Sequence, residues 1–138
     1  MEPDFTQLKH FKLEEFACSS SGEARMDEQL LQALEEIRER LGEPMVITSG
    51  YRSDQHPITQ AKIAKGAKHG GAHHLGCADD VGGAGPTAMK VRALAIENPT
   101  ITGVGVKQSG PWSSRFIHID AVPRDNNFGL TRPALWSY

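Results

Sequence analysis

Two short stretches concentrate side chains that can bind a metal or move a proton. The first is Gly70-Gly71-Ala72-His73-His74-Leu75-Gly76-Cys77-Ala78-Asp79-Asp80-Val81, and the second is Phe116-Ile117-His118-Ile119-Asp120. His73, Asp80 and His118 supply two imidazoles and a carboxylate, a donor set for a catalytic zinc that keeps one position open for water. His74 points away if His73 points in. Alternation along a strand puts Phe116, His118 and Asp120 on one face, so His118 and Asp120 aim into the same space. Asp120 is thereby placed as the acid/base, or as the carboxylate that orients an imidazole from behind.

Other chemistries compete for these residues. A lone His-x-Asp is usually structural. Cys77 offers an alternative ligand, but a histidine and an aspartate nearby fill the pattern better. A Ser-His-Asp acyl-transfer site would use Ser49 or Ser53, and neither lies in a Gly-x-Ser-x-Gly elbow. A His-rich metal nuclease would need a basic face. The net charge is -2 and no two of the fifteen Lys and Arg are adjacent, which argues against nucleic acid as a partner.

The elements that must carry these residues are partly readable. With 138 residues, 38% hydrophobic and 23% charged, the chain reads as one soluble domain, residues 1–138. Its core is expected over about 10–122 and an irregular tail, anchored by Trp136, over 123–138. No apolar run is long enough for a membrane span. The acidic residues 1–4 do not read as a secretory signal, so synthesis in the cytoplasm is expected. Two cysteines, Cys18 and Cys77, read as reduced thiols.

Residues 27–41 predict the clearest helix. Asp27 caps it, Met26 packs on Leu31 as a hydrophobic staple, Leu30, Leu34, Ile37 and Leu41 form one stripe, and Gly42 ends it. Phe11 and Phe16 flank a helical turn and face the core. Residues 45–48 predict a buried strand that runs into a turn projecting Arg52, either a surface arginine or a fork for a substrate carboxylate. A short helix is expected at 57–64 in a lysine-rich connection. A short strand follows at 77–81, with Ala78 and Asp80 on one face. A helix from Pro86 to Asn98 should bury Met89, Val91, Ala93, Leu94 and Ile96. Strands at 101–106 and 115–122 are joined by a loop holding Gly110-Pro111-Trp112.

The arrangement His73-x-x-Gly76-x-Ala78-x-Asp80-Val81, followed by Phe116-Ile117-His118-Ile119-Asp120, resembles the zinc D-Ala-D-Ala carboxypeptidases and murein endopeptidases. It is most similar to the short single-domain members found in bacteriophages and their hosts. His10-Phe11, Glu15-Phe16-x-Cys18, the stretch Ile47-Thr48-Ser49-Gly50-Tyr51-Arg52-Ser53, and Gly103-Val104-Gly105-Val106 extend the likeness over residues 10–122.

The resemblance implies His73, Asp80 and His118 as ligands of one Zn2+ per chain. It implies Arg52 as carboxylate clamp, with Tyr51 and Ser53 beside it in substrate binding. It also implies an α+β fold of Hedgehog/D,D-peptidase type: a small, mainly antiparallel sheet with two or three helices on one face. The implied activity is hydrolysis of peptidoglycan stem peptides, as carboxypeptidase or lytic endopeptidase, by a monomer that acts in the periplasm or cell wall after release by a holin. An inactive zinc-bearing binding module and a virion-associated wall-penetration protein are the alternatives. Three departures stand out: Gly71 replaces a common Ser, the Arg52–His73 segment reads Asp54-Gln55-His56-Pro57, and Arg115 sits where several branches place an acidic base. Asp120 is therefore the expected acid/base.

Overall fold

The computed structural model describes residues 8–138, so the acidic residues 1–4 lie outside the described part. The fold is α+β, as expected. A single 3-10 turn at Leu13–Phe16 leads into helix α1 (Glu28–Leu41) and strand β1 (Val46–Ser49). Helix α2 (Pro57–Ala64), strand β2 (Ala78–Gly82) and helix α3 (Gly85–Glu97) follow. Strands β3 (Gly103–Lys107), β4 (Phe116–Asp120) and β5 (Ala134–Ser137) complete the chain, with a 3-10 turn at Trp112–Ser114 between β3 and β4.

Helix α1 begins and ends where its chemistry dictates. The Asp27 carboxylate accepts from the Leu30 N–H, and Gly42 adopts the left-handed conformation at φ 70°. Leu30, Leu31, Ala33, Leu34 and Ile37 are buried. Helix α2 starts on Pro57 with His56 as its cap.

The sheet has strand order β1-β2-β4-β3-β5. Neighbours are antiparallel except for β3 and β5, which run parallel. Its two faces differ in kind. Val81, Val104, Ile117 and Ile119 join α1, α3, Phe11, Phe16 and Met26 in one core. The opposite face carries Asp80, His118 and Asp120. Helices α1 and α3 thus cover the core face, whereas α2 buries only Thr59.

Three expectations are corrected. Strand β1 is not buried: it forms a sheet edge, and Val46 is 60% exposed while Met45, just before it, enters the core. In α3, Val91 and Ala95 face the core, but Met89 (72%) and Ile96 (48%) lie on the solvent side, because only one stripe of the helix touches the sheet. The tail is not irregular throughout. Its last residues form β5, which no periodicity announced because the parallel partner lies some thirty residues upstream.

Alternation in β2 has a further consequence. If Asp80 faces the site, Asp79 must face the core. Asp79 is fully buried, and neither of its carboxylate oxygens has a hydrogen-bond partner among the described residues. Burial, with Asp80 nearby, pushes its pKa well above the usual carboxylate value. An unpartnered buried acid costs about 1–3 kcal/mol. Asp79→Val, a β-branched residue suited to a strand, should therefore raise stability by about that amount. Urea unfolding of metal-free protein checks this, and a lower midpoint for the variant would contradict it.

Candidate metal centre

The site is one row of residues across the sheet. Ser49 pairs with Asp80, Asp80 with His118, His118 with Gly105, and Gly105 with Trp136. Pairing two antiparallel strands brings directly opposed side chains within reach of each other, which is how Asp80 and His118 meet from distant parts of the chain. His73 comes from the glycine-rich loop before β2. That loop is tight: Gly76 N–H donates to His73 O and Cys77 N–H to Ala72 O. Gly76 has φ 75°, and a side chain there would collide with the Arg25 carbonyl.

His73, Asp80 and His118 are all buried, and one nitrogen or oxygen of each lies within 4.8 Å of the others. Asp80 Oδ1 is 3.4 Å from His73 Nε2 and 3.2 Å from His118 Nδ1. It has no hydrogen-bond partner among the described residues, despite two imidazole nitrogens so near. A tetrahedral zinc with bonds of about 2.0–2.1 Å spaces its ligand atoms about 3.3 Å apart. The donor set and the orphaned oxygen therefore fit a zinc ion.

Each imidazole is held by its other nitrogen. His73 Nδ1–H donates to Gly50 O at 2.8 Å. His118 Nε2–H donates to Asp120 Oδ2 at 2.8 Å. These bonds fix the tautomers so that Nε2 of His73 and Nδ1 of His118 carry free lone pairs toward Asp80.

The sequence-derived residues fall into three groups. The three ligands converge. Arg52 is near them: its Nε donates to Ser49 Oγ at 3.2 Å, and its Nη2 lies 3.5 Å from Asp80 Oδ2. Its backbone N–H donates to His73 O, tying the arginine turn to the ligand loop. Tyr51 and Ser53 pack the arginine turn. Both are buried, Tyr51 with its N–H on Phe16 O and Ser53 with its hydroxyl 3.4 Å from Cys18 Sγ. These contacts tie the turn to the N-terminal segment. Cys77 stands apart from the group, its thiol pushed up to about 11 chiefly by burial.

Asp120 lies behind His118 and is 0% exposed. Arg132 forks it, with Nε 3.0 Å from Oδ1 and Nη2 2.7 Å from Oδ2. Gly103, opposite it on β3, is indispensable here, since a Cβ would overlap the carboxylate. His74, as expected, turns away, its Nε2 2.7 Å from Asp54 Oδ1. Sequence reasoning missed Arg132 and Tyr138 and read Trp136 only as an anchor of the tail. The available signal was the alternation Trp136-x-Tyr138 beside the alternation Gly103-x-Gly105, small residues on one strand making room for large ones on the next.

The local charges set the pH behaviour. Burial lowers the His73 pKa. Burial acts the same way on His118, but the hydrogen bond to Asp120 and the negative charge of Asp80 beside it outweigh it and raise its pKa. Burial likewise opposes ionisation of Asp80, yet the two imidazoles beside it hold its carboxyl far below the usual range. Zinc needs the lone pair of His118 Nδ1, so it must displace any proton there. Zinc affinity should consequently begin to fall while pH is still at or above 6.5, with about one proton taken up per ion lost, and more steeply once His73 also titrates. Chelator competition between about pH 8 and about pH 5 measures this. Affinity that stays flat to below about pH 6 would contradict it.

Neither the curated proteins nor the solved structures that were searched match the chain. A family model described as Peptidase M15 matches residues 9–120, a span that contains all three ligands, Arg52 and Asp120. The chain belongs to the peptidase M15 family, whose members are zinc metallopeptidases.

Proposed function

We propose that the protein hydrolyses peptide bonds in the stem peptides of peptidoglycan, as a D,D-carboxypeptidase or a lytic endopeptidase. The observation that carries this reading is the buried convergence of His73, Asp80 and His118 on the unpartnered Asp80 oxygen, in a member of this family. Those three residues would hold the zinc. When bound, zinc supplies Lewis acidity for the scissile carbonyl and lowers the pKa of its water to about 7.

The chain's own groups do the rest. The Arg52 side chain keeps Nη1 free among the described residues, because its other nitrogens go to Ser49 and Asp80. A guanidinium with one edge so occupied and the other open suits a substrate carboxylate. A terminal carboxylate there makes the enzyme a carboxypeptidase, and an internal one an endopeptidase. Asp120 has its two oxygens filled by Arg132 and His118, so we assign it the orienting role and not proton acceptance. Aromatic rings cluster beside His118: Trp136 is next to both His118 and Tyr138, and Phe116 and Tyr138 lie 5.2 Å apart. Apolar walls of this kind exclude water around the reacting bond.

The expected setting is the periplasm or cell wall, with a single chain as the working unit and neither nucleic acid nor membrane as partner. Among the described residues no helix is long and apolar enough to cross a membrane. A holin would release such an enzyme to the wall during phage lysis, and a virion-borne enzyme would carry it there on entry.

A second reading has an observation of its own. Arg115 stands three residues before His118, and its guanidinium donates to Gly110 O and lies over the Trp112 ring. It cannot accept a proton. A zinc-bearing module that binds wall peptide without cleaving it would tolerate that residue.

Purified peptidoglycan, followed for released D-alanine and for new amino groups with and without chelator, separates these readings. Chelator-sensitive release supports the enzyme, and the product identifies the bond. Tight binding of wall fragments without release supports the module. In an active protein Arg52→Lys should raise KM by about tenfold, or ~1.4 kcal/mol, with kcat nearly kept, because Lys cannot fork a carboxylate. A fall in kcat alone would mean that Arg52 serves Asp80 and not the substrate.

A further inference from the structure

The family match stops at Asp120, yet the metal-binding histidine leans on residues beyond it. Strand β5 lies alongside β3, and its Trp136 is opposite Gly105, which is itself opposite His118. A Cβ at Gly105 would come within 2.5 Å of the indole Nε1, so the glycine leaves the space that the indole fills. The Trp136 and His118 rings have centroids 5.0 Å apart. Arg132, just before β5, forks Asp120 through both oxygens and lies 5.2 Å over the Trp136 ring. The Val122 N–H, at 3.4 Å, also donates to Asp120 Oδ1, while the Thr102 hydroxyl donates to Val122 O. With so many donors on the carboxylate, Oδ2 has one direction in which to accept from His118 Nε2–H.

We infer that the C-terminal segment 131–138 is a working part of the metal centre, with Arg132 and Trp136 as positioning residues that hold the His118 ring so that Nδ1 faces the ion. The inference rests on the reading of His73, Asp80 and His118 as zinc ligands. Arg132 acts through Asp120, and Trp136 acts by packing its tilted ring against the imidazole and backing the guanidinium. Neither touches the ion. A bidentate fork fixes the rotation of the carboxylate as a single ammonium cannot. The support of the His118 ring therefore comes from a segment beyond the residues that the family model matches.

The experiment uses the full chain with Arg132→Met, Arg132→Lys, Trp136→Leu and Trp136→Phe. Zinc affinity is measured by chelator competition, and the cobalt-substituted proteins are compared by their visible absorption. Arg132→Met and Trp136→Leu should each weaken zinc binding by about 10- to 100-fold and alter the cobalt spectrum. Trp136→Phe, which keeps an aromatic face, should restore most of the affinity. If Arg132→Met leaves Asp120 uncompensated and fails to fold, Arg132→Lys keeps the charge and decides the matter: it should fold and still bind zinc more weakly than the parent, with a shifted cobalt spectrum. Folded variants with parental zinc affinity and an unchanged spectrum would overturn the inference while leaving the ligand assignment intact. A parent protein that binds no zinc would overturn both.

Discussion

One carboxylate oxygen organises this molecule. Asp80 Oδ1 is buried between His73 Nε2 and His118 Nδ1 and lacks a hydrogen-bond partner among the described residues. A buried acceptor in that state is costly unless something cationic joins it. A zinc ion would resolve the cost, and the fold keeps the three donors apart but aimed at one point. The antiparallel register of β2 and β4 sets Asp80 against His118. The glycine-rich loop brings in His73, and the Gly50 carbonyl stops its ring from turning.

The sheet separates two kinds of physics. On one face the hydrophobic effect packs α1 and α3 against Val81, Val104, Ile117 and Ile119. On the other, charges are balanced pairwise: Arg52 near Asp80, Arg132 on Asp120. Because alternate residues of a strand serve opposite faces, β3 reads Gly103-Val104-Gly105-Val106, with valines for the core and glycines where Asp120 and Trp136 need room. The same alternation drives Asp79 into the core, the one place where the two demands conflict.

Much of the site was legible because its residues lie on short strands whose alternation is explicit. His118 and Asp120 share a face, Ala78 and Asp80 share a face, and the seven-residue step from His73 to Asp80 spans one tight loop. Helix α1 was legible because cap, stripe and terminal glycine all agree. The tail was not. A four-residue strand after Arg132-Pro133 has no period long enough to read, and its parallel partner is far away in sequence. With β5 unseen, Arg132 had no visible partner and Asp120 looked free to accept a proton. The packing of the arginine turn was hidden for a related reason: the contacts of Tyr51 with Phe16 and of Ser53 with Cys18 join segments some thirty-five residues apart.

X-ray absorption at the zinc edge of the loaded protein tests the central claim most directly. The account predicts one zinc per chain in a shell of nitrogen and oxygen only, at about 2.0–2.1 Å, with the scattering pattern of two imidazoles. A sulfur neighbour at about 2.3 Å would bring Cys77 into the ligand set. A shell with one imidazole would remove His73 or His118 from it. Either result would contradict the assignment on which the rest of the account is built.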